Sequence, residues 1–307
     1  MSELDKAVES YLALRRGLGF RLVDAGSLLP DFVAFLHQND AEHVTTNLAL
    51  AWAIQPVNVS PVWWRQRLGF VRGFAEYLRT IDPDTEVPPR DLLPARYSRV
   101  APYLYSAADI EALVAATRAL NPPLRAATYE SRIGLLSVTG LRLGESLALN
   151  RDDIDREQSL LSVRHSKGGG RKVPLHETAL NALQGYIEIV DQRFPRPVSP
   201  SLFVSIRGTR MNKDSIHATF PGLIDAAGLT GRGQRSRPRL HDLRHSYAIR
   251  QLIDWHTERA DVDARIPILT AVLGHTDPAS SYWYLHAAPE LFSIVGQRLE
   301  ESWGQQS

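Results

Sequence analysis

Apolar residues recur at helical spacing through most of the chain and alternate at strand spacing in only one short region. In the first hundred residues this spacing predicts four helices, over about 3–17, 27–38, 46–55 and 60–81. In the last of these, Val62, Leu68, Val71, Phe74, Ala75 and Leu78 trace a single stripe, the expected core face of a small all-helical bundle. Between 82 and 103 the pattern stops: Pro83, Pro88, Pro89, Pro94 and Pro102 stand among charged residues, a composition that resists regular structure and reads as a linker. Helical spacing resumes over 106–120, where Ser106 is the expected N-cap, Asp109 lies three residues on, and Ile110, Leu113 and Val114 form the stripe; a second helix is expected over 124–137. SLLSVRH (159–165) and RKVPL (171–175) are short β-type segments around Gly168, Gly169 and Gly170, the pattern of a hairpin with a glycine turn. From 176 onward the pattern is again mainly helical. It ends in 289–303, where Pro289 opens a segment with Leu291, Phe292, Val295, Leu299 and Trp303 on one stripe. The expected fold is therefore mainly α with a small antiparallel sheet, in two domains at 1–85 and 104–307 joined by a linker over 86–103.

Composition narrows the function by exclusion. A chain of 307 residues with 44% hydrophobic and 22% charged residues is an ordinary folded protein, with room for two cores. The polar, acidic start is not a secretory signal. The charge-free window over 43–64 is interrupted by Thr45, Thr46, Asn47, Gln55, Pro56, Asn58, Ser60 and Pro61, so no membrane span is expected. The absence of cysteine removes disulfides, thiolate metal sites and cysteine nucleophiles, and is compatible with a cytoplasmic setting. No Gly-Lys pair exists for a phosphate-binding loop, neither G-x-G-x-x-G nor G-x-S-x-G occurs, and His176-Glu177 lacks the second histidine of a zinc helix.

A net charge of +1 gives no overall pull toward nucleic acid; residues 1–100 carry 11 Lys+Arg against 12 Asp+Glu. Position changes the picture. Residues 231–250 hold Arg232, Arg235, Arg237, Arg239, Arg244 and Arg250 against the single acid Asp242, and Arg164, Lys167, Arg171 and Lys172 bracket the glycine turn. Such clusters make a local footprint for a polyanion, although a charge run is commonly only a solvated face. In the 60–81 helix, Trp63, Trp64, Arg65, Arg67 and Arg72 could meet a phosphate backbone or could simply pack. Three further constellations stand out: TGLRLGESLAL around Arg142 and Glu145; HDLRHSYA, which puts His241 and Arg244 on one helix face; and LGHTDPASSYWYLH, with Tyr284 nine residues after His275. Each alone is compatible with packing or a structural ion pair.

In this chain order the constellations resemble the tyrosine recombinases, the lambda-integrase or Xer-like phage integrase family, over residues ~104–300. The resemblance implies an N-terminal helical (SAM-like) core-binding bundle and a catalytic domain of the DNA breaking-rejoining fold. It also implies roles: Arg142 as the first catalytic arginine, Lys167 on the hairpin, His241 and Arg244 as the central pair, His275 next, and Tyr284 as the nucleophile. Glu145 occupies an acidic position with an orienting role. Lys172 rivals Lys167, and Tyr282 rivals Tyr284 except for the nine-residue spacing. DNA contacts are expected from Arg65, Arg67, Arg72, Arg164, Arg171, Lys172, Arg235, Arg237 and Arg239. The stretch from His241 to His275 is longer than in compact Xer-like chains, with 254–266 (DWHTERADVDARI) as the expected insertion.

The chemistry agrees with that set. Attack on a phosphodiester builds negative charge, which two arginines can neutralise bidentately. A tyrosine hydroxyl, with ordinary pKa about 10, must be oriented and relieved of its proton. His241 is the expected acceptor, His275 a phosphate hydrogen-bond donor, and Lys167 the proton donor to the leaving 5′-oxygen. The product is a 3′-phosphotyrosyl DNA whose link stores the ester, so neither ATP nor metal nor another cofactor is expected. The implied partners are double-stranded recombination sites, bound by a homotetramer or a mixed tetramer with sister recombinases. The free protein is expected as a monomer or weak dimer, and the 289–303 helix packs on its own domain or on a neighbour's. The wording LGHTDPASSYWYLHAAPELF leans toward mobile-element recombinases; the alternatives are a dimer-resolution recombinase, a type IB topoisomerase and a non-catalytic DNA-binding relative.

Overall fold

The computed structural model describes residues 2–93, 102–164, 169–229, 237–275, 277, 282 and 284, and the chain divides into two compact units, Met1–Arg99 and Val100–Ser307. Lys167, Arg235 and the 289–303 segment lie outside the described residues.

The first unit holds helices α1 (Glu3–Gly17), α2 (Val23–Gln38), α3 (Thr46–Ile54) and α4 (Pro61–Leu78). Three of their starts follow local chemistry. Ser2 and Asp5 cap each other across the first turn of α1, Thr45 caps α3, and Pro61 opens α4 at a position where no backbone N–H is needed. The expected stripe on α4 is buried at Leu68, Val71, Phe74, Ala75 and Leu78, whereas Val62, in the first turn, is exposed. α2 begins four residues before its expected start, because apolar Val23, Ala25 and Leu29 already continue the helical period.

Arg67 corrects one expectation. It does not face outward but is 6% exposed, with its guanidinium 3.7 Å from the centre of the Trp52 ring and Nη2 donating to the Trp52 carbonyl at 3.0 Å. Trp52 is itself fully buried and donates from Nε1 to Asp31, so the cation sits inside the bundle on an anchored indole. Arg72 is half-buried and binds the carbonyls of Pro88 and Pro89, tying the proline-rich stretch back onto α4. Arg65 is exposed.

The second unit holds α5 (Ala107–Thr117), α6 (Pro123–Thr139), α7 (Leu143–Ala148), β1 (Ile154–Asp155), β2 (Leu160–Val163), β3 (Arg171–Pro174), α8 (Glu177–Arg193), α9 (Lys213–Ala226), α10 (Asp242–Thr257) and α11 (Val262–Leu273). Ser106 and Asp109 form the expected capping box of α5. The hairpin is part of a three-stranded antiparallel sheet in the order β1-β2-β3, with Leu161 opposite Val173 and Val163 opposite Arg171. Strand alternation puts Val173 and Arg171 on the inner face and leaves Lys172 exposed. His176, the would-be start of a zinc helix, is the N-cap of α8.

The expected insertion over 254–266 is largely helical. α10 continues to Thr257 and α11 starts at Val262, so only 258–261 connect them, and Leu252, Ile266, Leu269 and Leu273 pack between the two helices. Arg67→Ala is expected to lower the stability of the first unit by about 2 kcal/mol, the sum of a desolvated cation–ring contact and a lost hydrogen bond, in urea unfolding followed by tryptophan fluorescence. An unchanged midpoint would mean that the guanidinium is not part of the core.

Candidate active site

Two glycine-capped helix ends make the floor of the site. α6 ends at Gly140 and α11 at Gly274, both in the left-handed region (φ 61° and 64°), and each reverses the chain so that the next residues enter the site: Arg142 after one, His275 after the other. A side chain has no room at either point. A Cβ on Gly140 would lie 2.5 Å from Tyr247, and one on Gly274 would lie 2.7 Å from the Arg171 guanidinium.

The last carbonyls of α11 have no partners within their own helix, and three arginines take them. Arg171 donates from Nε to Val272 O (2.7 Å), Arg244 from Nη2 to Leu273 O (2.7 Å), and Arg142 from Nη2 to Gly274 O (2.9 Å). Arg244 adds a bond from Nη1 to Gly140 O (2.8 Å), so it clasps both helix ends. Cations at a helix C-terminus are also favoured by its dipole.

Glu145 joins the arginines from the other side. Its carboxylate is 4% exposed and accepts the Arg142 backbone N–H (2.9 Å), Arg142 Nη1 (2.8 Å), and both terminal nitrogens of Arg171 (3.0 and 2.8 Å). Burial alone would raise its pKa, but the bonds from Arg171 and Arg142 outweigh that and hold it at about 2. Arg171 is therefore a fixed member of the site rather than a DNA-facing side chain. Its signal in the sequence is its strand position, two residues from core-facing Val173.

Among the described residues, three guanidiniums and one carboxylate meet here, and Arg142 and Arg171 share that carboxylate. Arg244 is 2% exposed, and burial together with Arg142 brings its guanidinium down to about 10. The histidines feel the same field. Burial, then Arg244, lowers His241; burial, then Arg244 and Arg142, holds His275 at about 4. Both are neutral at pH 7.

Tyr284 is 2% exposed and belongs to the core between α10 and α11, whereas Tyr282 is 44% exposed. The His275 ring stacks on Tyr284 at 6.1 Å between centres, with planes 15° apart. Its hydroxyl lies 3.2 Å from Nδ1 of His245, a residue the sequence reading passed over. His245 stands four positions after His241 in HDLRHSYA, one helical turn on and so on the same face, and the two rings meet edge to face at 4.7 Å.

The structure thus brings Arg142, Glu145, His241, Arg244, His275 and Tyr284 together, and adds Arg171 and His245. The other cations are peripheral. Arg164, Arg237 and Arg239 are more than half exposed, and each pairs with a carboxylate, Asp153, Asp225 and Asp242 respectively. Asp242 is fully buried and also accepts the Arg239 backbone N–H, which fixes the entry to α10. Arg237, Arg239 and His241 border an apolar pocket of about 540 Å³ lined by Leu136, Leu143 and Phe220.

Because the Glu145 carboxyl ionises at about 2 in the folded protein against an ordinary 4.5, it contributes roughly 3 kcal/mol of stability above pH 4.5, lost as pH falls toward 2. Urea midpoints measured between pH 7 and pH 3 should show that acid limb in the native protein and a flatter one in Glu145→Gln. An equal slope in both would assign the limb to other groups.

Comparison with known proteins agrees with this geometry. The phage integrase family model matches residues 104–290. A protein of Sinorhizobium fredii (strain NBRC 101917 / NGR234) named as an integrase/recombinase, y4rB, is 43% identical over 312 residues, spanning 99% of both chains. The tyrosine recombinase XerD of Caulobacter vibrioides is 28% identical, over 91% of this chain and 87% of its own. Among solved structures, the Tn1549 transposon integrase in complex with transposon right end DNA has a TM-score of 0.66 at 17% identity, over 96% of this chain and 98% of its own. A lambda integrase dimer bound to a COC′ core site scores 0.61 at 19% identity, over 92% of this chain and 76% of its own; at these identities the likeness is one of fold. No helix among the described residues is long and apolar enough to cross a membrane. With the family model covering the whole of this site and a relative matching end to end, the chain belongs to the phage integrase family, the tyrosine recombinases.

Proposed function

We propose that this chain cuts and rejoins duplex DNA at defined sites through a covalent 3′-phosphotyrosyl link on Tyr284, and that it serves a mobile element. The carrying observation is the site itself: a buried tyrosine hydroxyl, fixed by a histidine stack and an imidazole hydrogen bond, beside a cluster with an excess of two positive charges among the described residues. That excess suits a phosphodiester whose charge grows in the transition state. Arg142 and Arg244 neutralise the non-bridging oxygens, His275 hydrogen-bonds beside them, and a histidine of the HDLRH segment, His241 in the family pattern, takes the phenolic proton. Glu145 and Arg171 hold Arg142 in place. Tyr284 Oη bonds to phosphorus, the bond to the 5′-oxygen breaks, and Lys167, between β2 and β3 in the sequence, gives that oxygen its proton. The 5′-hydroxyl of another strand reverses the step.

The N-terminal domain, residues 1–85, serves DNA binding with Arg65 among its exposed cations, and 104–307 does the chemistry. Lys172, Arg164, Arg237 and Arg239 supply phosphate contacts around the site, and four protomers act on two sites. The integrase-named relative, at 43% identity against 28% for XerD, favours the mobile-element role over dimer resolution.

The test begins with duplexes selected by the protein from a random pool, then nicked so that cleavage is trapped. Wild type should leave a denaturant-stable protein–DNA adduct, Tyr282→Phe should retain it, and Tyr284→Phe should lose it; an adduct surviving in Tyr284→Phe sinks the assignment. Arg142→Ala should slow cleavage by about 100-fold or more while keeping most of the binding, since many other phosphate contacts remain. Arg244 is the poorer variant for this purpose, because its removal also unties two helix ends.

A further inference from the structure

The phenolic proton of Tyr284 must leave as the Oη–phosphorus bond forms, and the position of the hydroxyl says where it can go. The Tyr284 ring is locked in the core with Ile249, Leu252, Leu269 and Leu273, and His275 lies flat against it. The hydroxyl consequently has little freedom, and it sits 3.2 Å from Nδ1 of His245, within proton-transfer reach. His245 is carried by the second turn of α10, a rigid element whose first turn is pinned by Arg239, Asp242 and the Arg244 clasp.

We propose that His245 receives the Tyr284 proton during attack, and that a DNA phosphate seated among Arg142, Arg244 and His275 is what makes it basic enough to do so. This rests on the recombinase reading of the site. The groups that bear on His245 are Arg239, His241 and Arg244 at the start of α10 and His275 after α11, all positive or able to become so; the nearby carboxylate, Asp242, is engaged by Arg239. Burial, with these neighbours, depresses His245 to about 3. Without DNA it is therefore a poor proton acceptor that holds the hydroxyl as a hydrogen-bond partner.

A phosphate weakens that field. It brings one negative charge to the arginines and gains more as the pentavalent state forms, so the imidazole gains affinity for a proton as the phenol loses its own. In the forward step the Oη–phosphorus bond forms, the phosphorus–O5′ bond breaks, the phenolic proton passes to His245 Nδ1, and the Lys167 ammonium protonates O5′. On rejoining, the incoming 5′-hydroxyl gives its proton to the Lys167 amine, and His245 returns its proton to Tyr284. The nucleophile is thus inert until substrate arrives.

The measurement uses the full-length chain and a selected nicked duplex with a 5′-bridging phosphorothiolate at the cut, a leaving group that needs no proton. His245→Asn keeps an amide at the place of Nδ1 that can hold the hydroxyl but cannot ionise. At neutral pH this variant should form adduct about 100-fold more slowly than wild type or worse, and its rate should climb about tenfold per pH unit where wild type has levelled off. Adduct formation within threefold of wild type, with the same pH profile, would reduce His245 to a positioning role and overturn the proposal. So would His241→Asn showing the lost profile while His245→Asn keeps it. If His245→Asn fails to fold, judged by near-UV circular dichroism, His245→Gln is read by the same criteria. Independently, carbon-13 histidine spectra of the DNA-free wild type should show His245 neutral at pH 5, and titration near 6.5 would remove the phosphate dependence. Absence of any wild-type adduct, or an adduct that survives Tyr284→Phe, would overturn the recombinase reading and this proposal together, whereas an adduct indifferent to His245 overturns the proposal alone.

Discussion

The buried carboxylate of Glu145 is the contact on which the site depends. Arg142 and Arg171 come from a helix start and a strand, 29 residues apart in sequence, and like charges brought together in a poorly solvated place repel. One ionised carboxylate between them converts that repulsion into two ion pairs, and its remaining capacity accepts the Arg142 backbone N–H, so the start of α7 is fixed by the same group. A buried ion pair is not in itself a source of stability, since desolvation costs several kcal/mol per ion; removing one partner is what is expensive. The value of the arrangement is positional. The Arg142 guanidinium is held at two of its nitrogens, by Glu145 and by Gly274 O, and it cannot swing toward solvent as a lone surface arginine would.

The second half of that constraint is the C-terminus of α11. A helix end leaves carbonyls that need donors, and here consecutive residues 272, 273 and 274 receive one arginine each. This explains physically why TGLR and LGH carry glycine where they do. Gly274 must take the left-handed conformation to close α11, and its missing side chain leaves the space that Arg171 fills; Gly140 does the same for α6 against Tyr247. A helix end, two glycines, three arginines and one carboxylate form one bonded unit.

What could be read from sequence follows from how far apart in the chain the deciding contacts are. Local rules gave the Ser106–Asp109 capping box, the helical stretches over 60–81 and 124–137 and the hairpin segments, because each depends on residues within a few positions of one another. The order of Arg142, His241, Arg244, His275 and Tyr284 was legible through family resemblance, not through any local signal. Arg67 was misplaced because the ring that receives it, Trp52, is on another helix, and helical spacing says only that Arg67 borders the stripe. The expectation that Arg171 contacts DNA gives way because its partners, Glu145 and Val272, lie 26 and 101 residues away; strand alternation, with Lys172 outward, is the available clue. His245 was missed for a different reason. It lies one turn after His241, and a reading focused on H-x-x-R stops at Arg244 although the helical period carries one residue further.

Charge shows the same separation of scales. A net +1 over 307 residues says little about DNA, because the exposed cations Arg164, Arg237 and Arg239 are matched by their own carboxylates, while the excess is concentrated at the buried arginines. Matched surface charges contribute weakly to long-range attraction and are screened further at physiological salt. Desolvated arginines act at short range on a phosphate already in place. The neutral total and the cationic site are therefore not in conflict: matched surface pairs add nothing to the total, and three arginines around one carboxylate leave a local positive excess at Arg142, Arg171 and Arg244.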